Sequence, residues 1–486
     1  MLKRFSFLFT LLISVISVAQ KNTHSPYSTF GVGELKDVDY TSYYGMGGVS
    51  LAASDSGVVN HSNPASYSYI GRYRPVLQVG LDGRLSNFET ATSSSNQRFF
   101  SLNQFQFGIP IKKNWGAAIG LKPYSFSGYL ISNYVVEDGD TTSLFTNEGK
   151  GGISKFFLGV GYSPINMKKS VYRNIAYQDT TGKTINDSLK VTYTNRLSLG
   201  ANASYLFGSA ERIKSYQYVS SLFGRNAKVD NALRFADFIY EFGLNYEFGW
   251  RSSRSNGSKT KANAIAIGAT FSPSIRIKAF QDLYSYSYLN FGGFNGAEVD
   301  IDTVEYVRDN QGAVVLPESY NVGLEYRIGP KGVENSSVFR VAADLRYQKW
   351  SNYSEDFGEE YTDNLKDRMR MSMGIEYTPI AMPAARDPFF GKLKYRIGGY
   401  YTMTELSVLN SANNYTDLTA YGMSFGIGIP VTIVRNSNTN INFGANLGSM
   451  GTTEQGLIRE KFIGLSFGVS ITPGNGNYWF LKRKYD

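Results

Sequence analysis

Of the 486 residues, none is cysteine. Disulfide frameworks, thiolate zinc sites and cysteine nucleophiles are therefore excluded. Histidine is nearly missing as well: His24 and His61 are the only two. They cannot build a histidine-rich metal centre, and no Ser-His-Asp arrangement is plausible. Charged residues make up only 18% of the chain, and the formal net charge of +9 is scattered rather than gathered into a stripe. No nucleic-acid partner is expected from such a distribution. Beyond the N-terminus, no apolar run approaches the roughly 20 residues that a membrane-spanning helix needs. Glycine strings such as Gly159-x-Gly161 follow strand-like patterns and open no helix, so they do not read as a phosphate cradle. Asp300, Asp302 and Glu305 cluster, but not at the spacing of an EF-hand loop, and read as a solvated loop. The expectation is a protein that is not an enzyme, with no cofactor and no metal.

What is abundant points elsewhere. The chain carries 36 Tyr, 32 Phe and 50 Gly. Aromatic-rich, glycine-rich strands with few charges fit a sheet that meets lipid headgroups at both ends and closes around a lumen. Residues 1–19 read as a secretory signal: Lys3-Arg4 is basic, 5–18 is apolar, and Ser17-x-Ala19 offers a small-residue cleavage site. Residues 20–72 form a polar lead-in and then a compact small-residue stretch, 45–70. Gly45, Gly47, Gly48, Ala52, Ala53 and Ala65 are interrupted there by Asp55, His61 and Asn63-Pro64. Small apolar residues with polar punctuation suit a segment enclosed by something larger. His61 is expected to be a hydrogen-bonded member of it.

From residue 73 to 472 the pattern alternates with period two, the signature of strands whose side chains point to opposite faces. At 421–429, Tyr421, Met423, Phe425, Ile427 and Ile429 oppose Gly422, Ser424, Gly426 and Gly428. At 463–471, Ile463, Leu465, Phe467, Val469 and Ile471 oppose Gly464, Ser466, Gly468 and Ser470. A soluble sandwich would place long charged residues on its solvent face; here the second face is mostly Gly, Ser and Asn. Strands are expected at 75–88, 98–109, 115–134, 152–163, 197–207, 234–248, 262–280, 318–328, 338–353, 368–379, 392–406, 418–430, 441–447 and 461–472. That makes a fourteen-stranded antiparallel transmembrane β-barrel of the all-β class, an even number that leaves both termini on one side. The breaks alternate short and long. Residues 135–150, 209–233 and 281–317 are expected to be loops on the long side. The segment 165–195 falls where a short turn belongs, and reads as an additional periplasmic hairpin, with two more spanning strands, sixteen in all, as the alternative. Trp350, Tyr353, Tyr400, Tyr401 and Tyr421 read as headgroup-level anchors.

With the barrel in view, several motifs carry a family resemblance. The run from Gly47-Gly48 through Asp55-Ser56 to Asn63-Pro64-Ala65 resembles the N-terminal plug, or hatch, of the FadL/TodX family of outer-membrane transporters of hydrophobic compounds. Leu316-Pro317-Glu318 resembles that family's Leu-Pro-Glu strand opening. Asp344-x-x-Tyr347-x-x-Trp350-Ser351 resembles the ending of the next strand, and Arg396-x-Gly398 a later one. The departures are the 165–195 insertion and a basic, aromatic tail, Tyr478 to Asp486, within 473–486. The resemblance implies a barrel in the outer membrane of a Gram-negative bacterium, with a plug in its lumen. It implies passive uptake of long-chain fatty acids or other hydrophobic small molecules, in contact with membrane lipids and lipopolysaccharide. The insertion and tail motivate an alternative: a non-transporting FadL-like barrel that serves as a subunit of an outer-membrane protein secretion or assembly complex. Its partners would be other outer-membrane or periplasmic proteins, held through 165–195 and 478–486.

Overall fold

The computed structural model describes residues 25–472 apart from 38–39, 72–73, 138–139, 179–183, 220–224, 255–260, 292–296, 331–335, 359, 362–363, 382, 385 and 432–437. The signal segment and the C-terminal tail lie outside the described residues.

The strands in chain order are β1 (Glu34–Leu35), β2 (Val76–Glu89), β3 (Ser94–Lys112), β4 (Trp115–Phe126), β5 (Tyr129–Glu137), β6 (Asp140–Gln178) and β7 (Thr184–Tyr218). They continue with β8 (Asn226–Arg254), β9 (Lys261–Ser272), β10 (Ile275–Phe291), β11 (Ala297–Leu316), β12 (Ser319–Ile328) and β13 (Val338–Gln348). The last are β14 (Ser354–Asp356), β15 (Glu360–Tyr361), β16 (Arg368–Thr378), β17 (Lys394–Leu409), β18 (Tyr415–Val431), β19 (Asn438–Gly451) and β20 (Arg459–Thr472). Following the antiparallel pairings from β2 through β3, β4, β6, β7, β8, β9, β12, β13, β16, β17, β18, β19 and β20 leads back to β2, because Leu77–Glu89 pairs with Ile471–Arg459. The result is a closed fourteen-stranded antiparallel barrel, as the alternation predicts. Closure leaves the wall without a free sheet edge at its seam.

The two faces separate as the period-two pattern requires. On β18, Tyr421, Met423, Phe425 and Ile427 are 42–58% exposed, whereas Ser424 between them is 1% exposed. Large apolar residues turned outward around the ring give the wall the belt that a hydrocarbon layer covers.

Several boundaries differ from the sequence expectation. The strand expected at 115–134 is interrupted at Ser127-Gly128, and both halves pair with β6. The strand expected at 262–280 is interrupted at Pro273-Ser274, where proline removes a ladder donor. The strand expected at 338–353 stops at Gln348 and gives way to a single 3-10 turn, Trp350–Asn352. The stretches 135–150, 209–233 and 281–317, expected as loops, are largely β-ribbon: β5 pairs with β6, β7 with β8, and β10 with β11 well past the wall. Their polar content hides them, because a ribbon wet on both faces needs no apolar stripe. At the opposite end, residues 165–178 and 184–196 add no new strands to the ring. They prolong β6 and β7, pairing from Ile165–Leu197 to Gln178–Thr184.

Candidate functional site

An N-terminal segment, the described residues between 25 and 70, is hydrogen-bonded to inward-facing side chains of this ring, among them Gln78, Asp344 and Ser424. Its backbone reaches the wall most closely along a row of glycines in direct register. Gly116 on β4 pairs with Gly161 on β6, Gly161 with Gly200 on β7, and Gly200 with Gly243 on β8. A side chain on Gly200 would collide with the Pro64–Ala65 peptide, one on Gly116 with the Tyr67 carbonyl, and one on Gly243 with Asn63 and Pro64. The four glycines form a cradle for the 3-10 helix Pro64–Tyr69, which starts at a proline and is capped by Asn63. The Asn63 side chain accepts from the Ala65 N–H at 3.1 Å and donates to the Leu51 carbonyl (2.7 Å) and the Leu244 carbonyl (3.0 Å). Asn63 and Ala65 are fully buried.

Elsewhere the segment is bonded through its main chain. Asp344 on β13 accepts from the Ser50 and Leu51 N–H groups at 2.7 and 3.1 Å. Ser424 Oγ accepts from the Gly47 N–H (2.7 Å), and Gln78 from the Val59 N–H (2.8 Å). Gly47 and Gly48 turn with φ of +74° and +90°, a conformation that side chains disfavour. The Gly48 carbonyl accepts from Arg346. His61 is buried edge-on against Phe157, its Nε2 3.4 Å from Glu241. Burial, with Lys155 as a further contribution, pushes its imidazole down to about 3, so it is neutral at ordinary pH.

Around this glycine-and-serine belt lie two charged layers that the sequence reading did not foresee. Toward the short-turn end, Arg340 bonds Asp55 (2.9 Å), Glu325 (2.7 Å) and Glu376 (3.1 Å). Arg396 adds a 2.6 Å bond to Glu376, and Arg327 bonds Glu247 at 3.1 Å. Toward the long-hairpin end, Asp37 of the segment sits between Arg368 (2.6 Å) and Arg370 (2.9 Å), and Arg368 also bonds Glu405. Lys36 pairs with Asp82, and Arg84 with Glu34 and Glu460. The signal was legible in principle. Arg368-x-Arg370 and Glu325-x-Arg327 place charges on the lumen face at period two, a face expected to be mostly Gly, Ser and Asn.

The motif residues of the second half serve this arrangement unevenly. Asp344 holds the segment directly. Leu316 and Trp350 join Tyr27, Val32, Ile277 and Val314 in an apolar cluster at the long-hairpin end. Trp350 and Tyr353 are each 1% exposed, which corrects their reading as headgroup anchors: the turn after β13 folds them inward. Tyr400 likewise faces the lumen, with the Arg370 guanidinium 3.9 Å above its ring, whereas Tyr401 and Tyr421 point outward. Pro317 separates β11 from β12, and Glu318 pairs with Lys349 outside the lumen. Among the described residues, no group of three His, Cys, Asp or Glu side chains is placed to hold a metal.

Two cavities adjoin the segment inside the barrel. One, of about 160 Å³, is bounded by Phe99, Phe126, Phe462 and Leu406 together with Arg84 and Arg370. The other, of about 130 Å³, lies among Lys36, Lys122, Glu241, Arg346 and Arg368. A wider vestibule of about 700 Å³ opens at the short-turn end beneath Tyr69.

The solved structures similar to this chain include a Pseudomonas aeruginosa FadL homologue at 12% identity, covering 91% of this chain and 99% of that one with a TM-score of 0.47. The Pseudomonas putida toluene transporter TodX is similar at 15% identity, over 90% and 99% of the two chains, with a TM-score of 0.45. The CymD monoaromatic hydrocarbon channel is similar at 11% identity, over 91% and 98%, with a TM-score of 0.43. No curated protein sequence matches significantly. A family description does match, across residues 1–180 and 183–486, so that end to end the chain belongs to the BamG family.

Proposed function

We propose that this chain is an outer-membrane barrel whose lumen is closed by its own N-terminal segment acting as a plug. We propose further that it serves as a partner-holding subunit of an outer-membrane protein secretion or assembly complex. The observation that carries this reading is the buried charge network around Arg340 and Asp37. Pulling the segment out would take Asp55 from Arg340, which keeps Glu325 and Glu376, and Asp37 from Arg368, which keeps Glu405, and from Arg370; removing one partner of a buried ion pair costs up to about 3–5 kcal/mol. A lumen so bonded is a poor path for an apolar solute, because the solute would have to displace charges rather than replace lipid.

A second reading, passive uptake of long-chain fatty acids or other hydrophobic small molecules, is favoured by the cavity beside Phe99, Phe126 and Phe462. That cavity is small, mostly apolar and in contact with the segment. Purification from membranes in mild detergent separates the two. A stoichiometric protein partner is the expected result. A barrel that purifies alone, in cells whose uptake of hydrophobic compounds falls when it is deleted, would overturn the first reading in favour of the second.

A further inference from the structure

The short-turn end carries a cationic surface that the N-terminal segment engages only in part, through Arg196, which donates to the Ser68 carbonyl at 2.6 Å and lies over the Tyr69 ring. The vestibule there is lined by Lys113, Lys168, Arg196, Arg251 and Arg327, and Glu247 is the one carboxylate among the described residues that line it. Glu247 is already committed to Arg327 and to the Ser54 hydroxyl. The cationic lining continues beyond the barrel. In the ribbon, Lys168 pairs across to Thr194, and Tyr172 to Lys190, whose ammonium lies 5.6 Å above the Tyr172 ring. On β8, the ribbon's third strand, Arg251 pairs with Thr192 of β7. Lys168, Lys190 and Arg251 are exposed.

The ribbon also offers main chain. The pairing of β6 with β4 ends at Tyr162, whereas its pairing with β7 runs on to Gln178. From Ile165 onward, one edge of β6 is therefore unpaired among the described residues, with Met167 and Tyr172 exposed along it. A long open edge is a template for another strand, and lysines on it select against neutral or basic ones.

Resting on the partner-holding reading above, we propose that this end of the barrel binds an extended, acidic segment of a protein partner. The segment adds alongside the free edge of β6 and turns its carboxylates toward Lys168, Lys190 and Arg251 at the mouth of the vestibule. Complementary charge supplies steering and selection, while the edge supplies main-chain bonds.

The test uses the full-length barrel in detergent and a fluorescent poly-glutamate peptide as probe. Binding that weakens with salt is expected, as is binding about tenfold weaker in the Lys168→Glu/Lys190→Glu/Arg251→Glu variant, since three modest attractions become repulsions. Heat-shifted electrophoretic mobility confirms that the variant remains a folded barrel. Equal binding by wild type and variant, or equal binding of a poly-lysine peptide, overturns the proposal. So does a variant that loses only bound phosphatidylglycerol, which would assign the surface to lipid headgroups. Native purification keeps the two levels apart. A partner that stays with the charge-reversed barrel sinks this inference and leaves the partner-holding reading intact. A wild-type barrel with no partner sinks that reading itself.

Discussion

The glycine cradle and the Arg340 cluster hold the same N-terminal segment by opposite means. In the cradle, Gly116, Gly161, Gly200 and Gly243 present bare backbone to Asn63–Ser68, and the fit is one of shape. Around Arg340, three acids from three parts of the chain, Asp55, Glu325 and Glu376, converge on one guanidinium. Shape fixes where the segment can lie but tolerates small slips. A shared buried charge is all-or-none, because a half-satisfied cluster is worse than none. The difference teaches that the segment is positioned by glycine and locked by charge, and each region can be broken separately.

The largest effect is expected from Arg340→Ala. Two buried carboxylates, Glu325 and Glu376, and the half-buried Asp55 lose their common partner, and urea unfolding in detergent should show a loss of about 3–5 kcal/mol. Asp344→Ala comes next: two segment N–H groups lose a charged acceptor, for a loss of about 1.5–3 kcal/mol by the same assay. Gly200→Val attacks the cradle instead. Its side chain meets the Pro64–Ala65 peptide, and overpacking of this kind costs about 1–3 kcal/mol. Limited proteolysis should then cut within 45–70 in the cradle variant more readily than in a lipid-face control. The control is Tyr421→Leu, on the outward face of β18, where a change within about 0.5 kcal/mol is expected. If Gly200→Val and Tyr421→Leu proved equally mild, the cradle would not be a positioning element. If Arg340→Ala were as mild as the control, the lock would not exist.

Much of the wall was legible because lipid leaves only one arrangement for it. Tyr421, Met423, Phe425 and Ile427 must face outward together, and the strand they lie on follows from that. The cradle was half legible. Gly45–Gly48 and Asn63-Pro64-Ala65 stood out as a segment made for enclosure, but the glycines receiving it on β4, β6, β7 and β8 are far apart in sequence. Only the register of the closed ring brings them into line. The charged layers were missed for a related reason. Arg340, Glu325 and Glu376 each look like an ordinary polar position in an alternating strand, and their convergence depends on the register of β12, β13 and β16, which sets Arg340 opposite Glu376. Trp350 misled because an aromatic at a strand end usually marks the membrane interface. Here the 3-10 turn after β13 carries it into the apolar cluster with Leu316 and Val32. The long ribbons beyond the wall escaped notice because strands exposed on both sides carry no apolar alternation.

The central claim, that the N-terminal segment sits bonded inside the ring, is tested most directly by a cross-link in a chain that has no cysteine of its own. Ser68 and Ser198 hydroxyls lie 2.9 Å apart, one on the segment and one on β7. In the Ser68→Cys/Ser198→Cys barrel, folded in membranes and mildly oxidised, a disulfide should form in nearly every molecule and leave no thiol for maleimide. Two freely labelled thiols in a folded barrel would contradict the account.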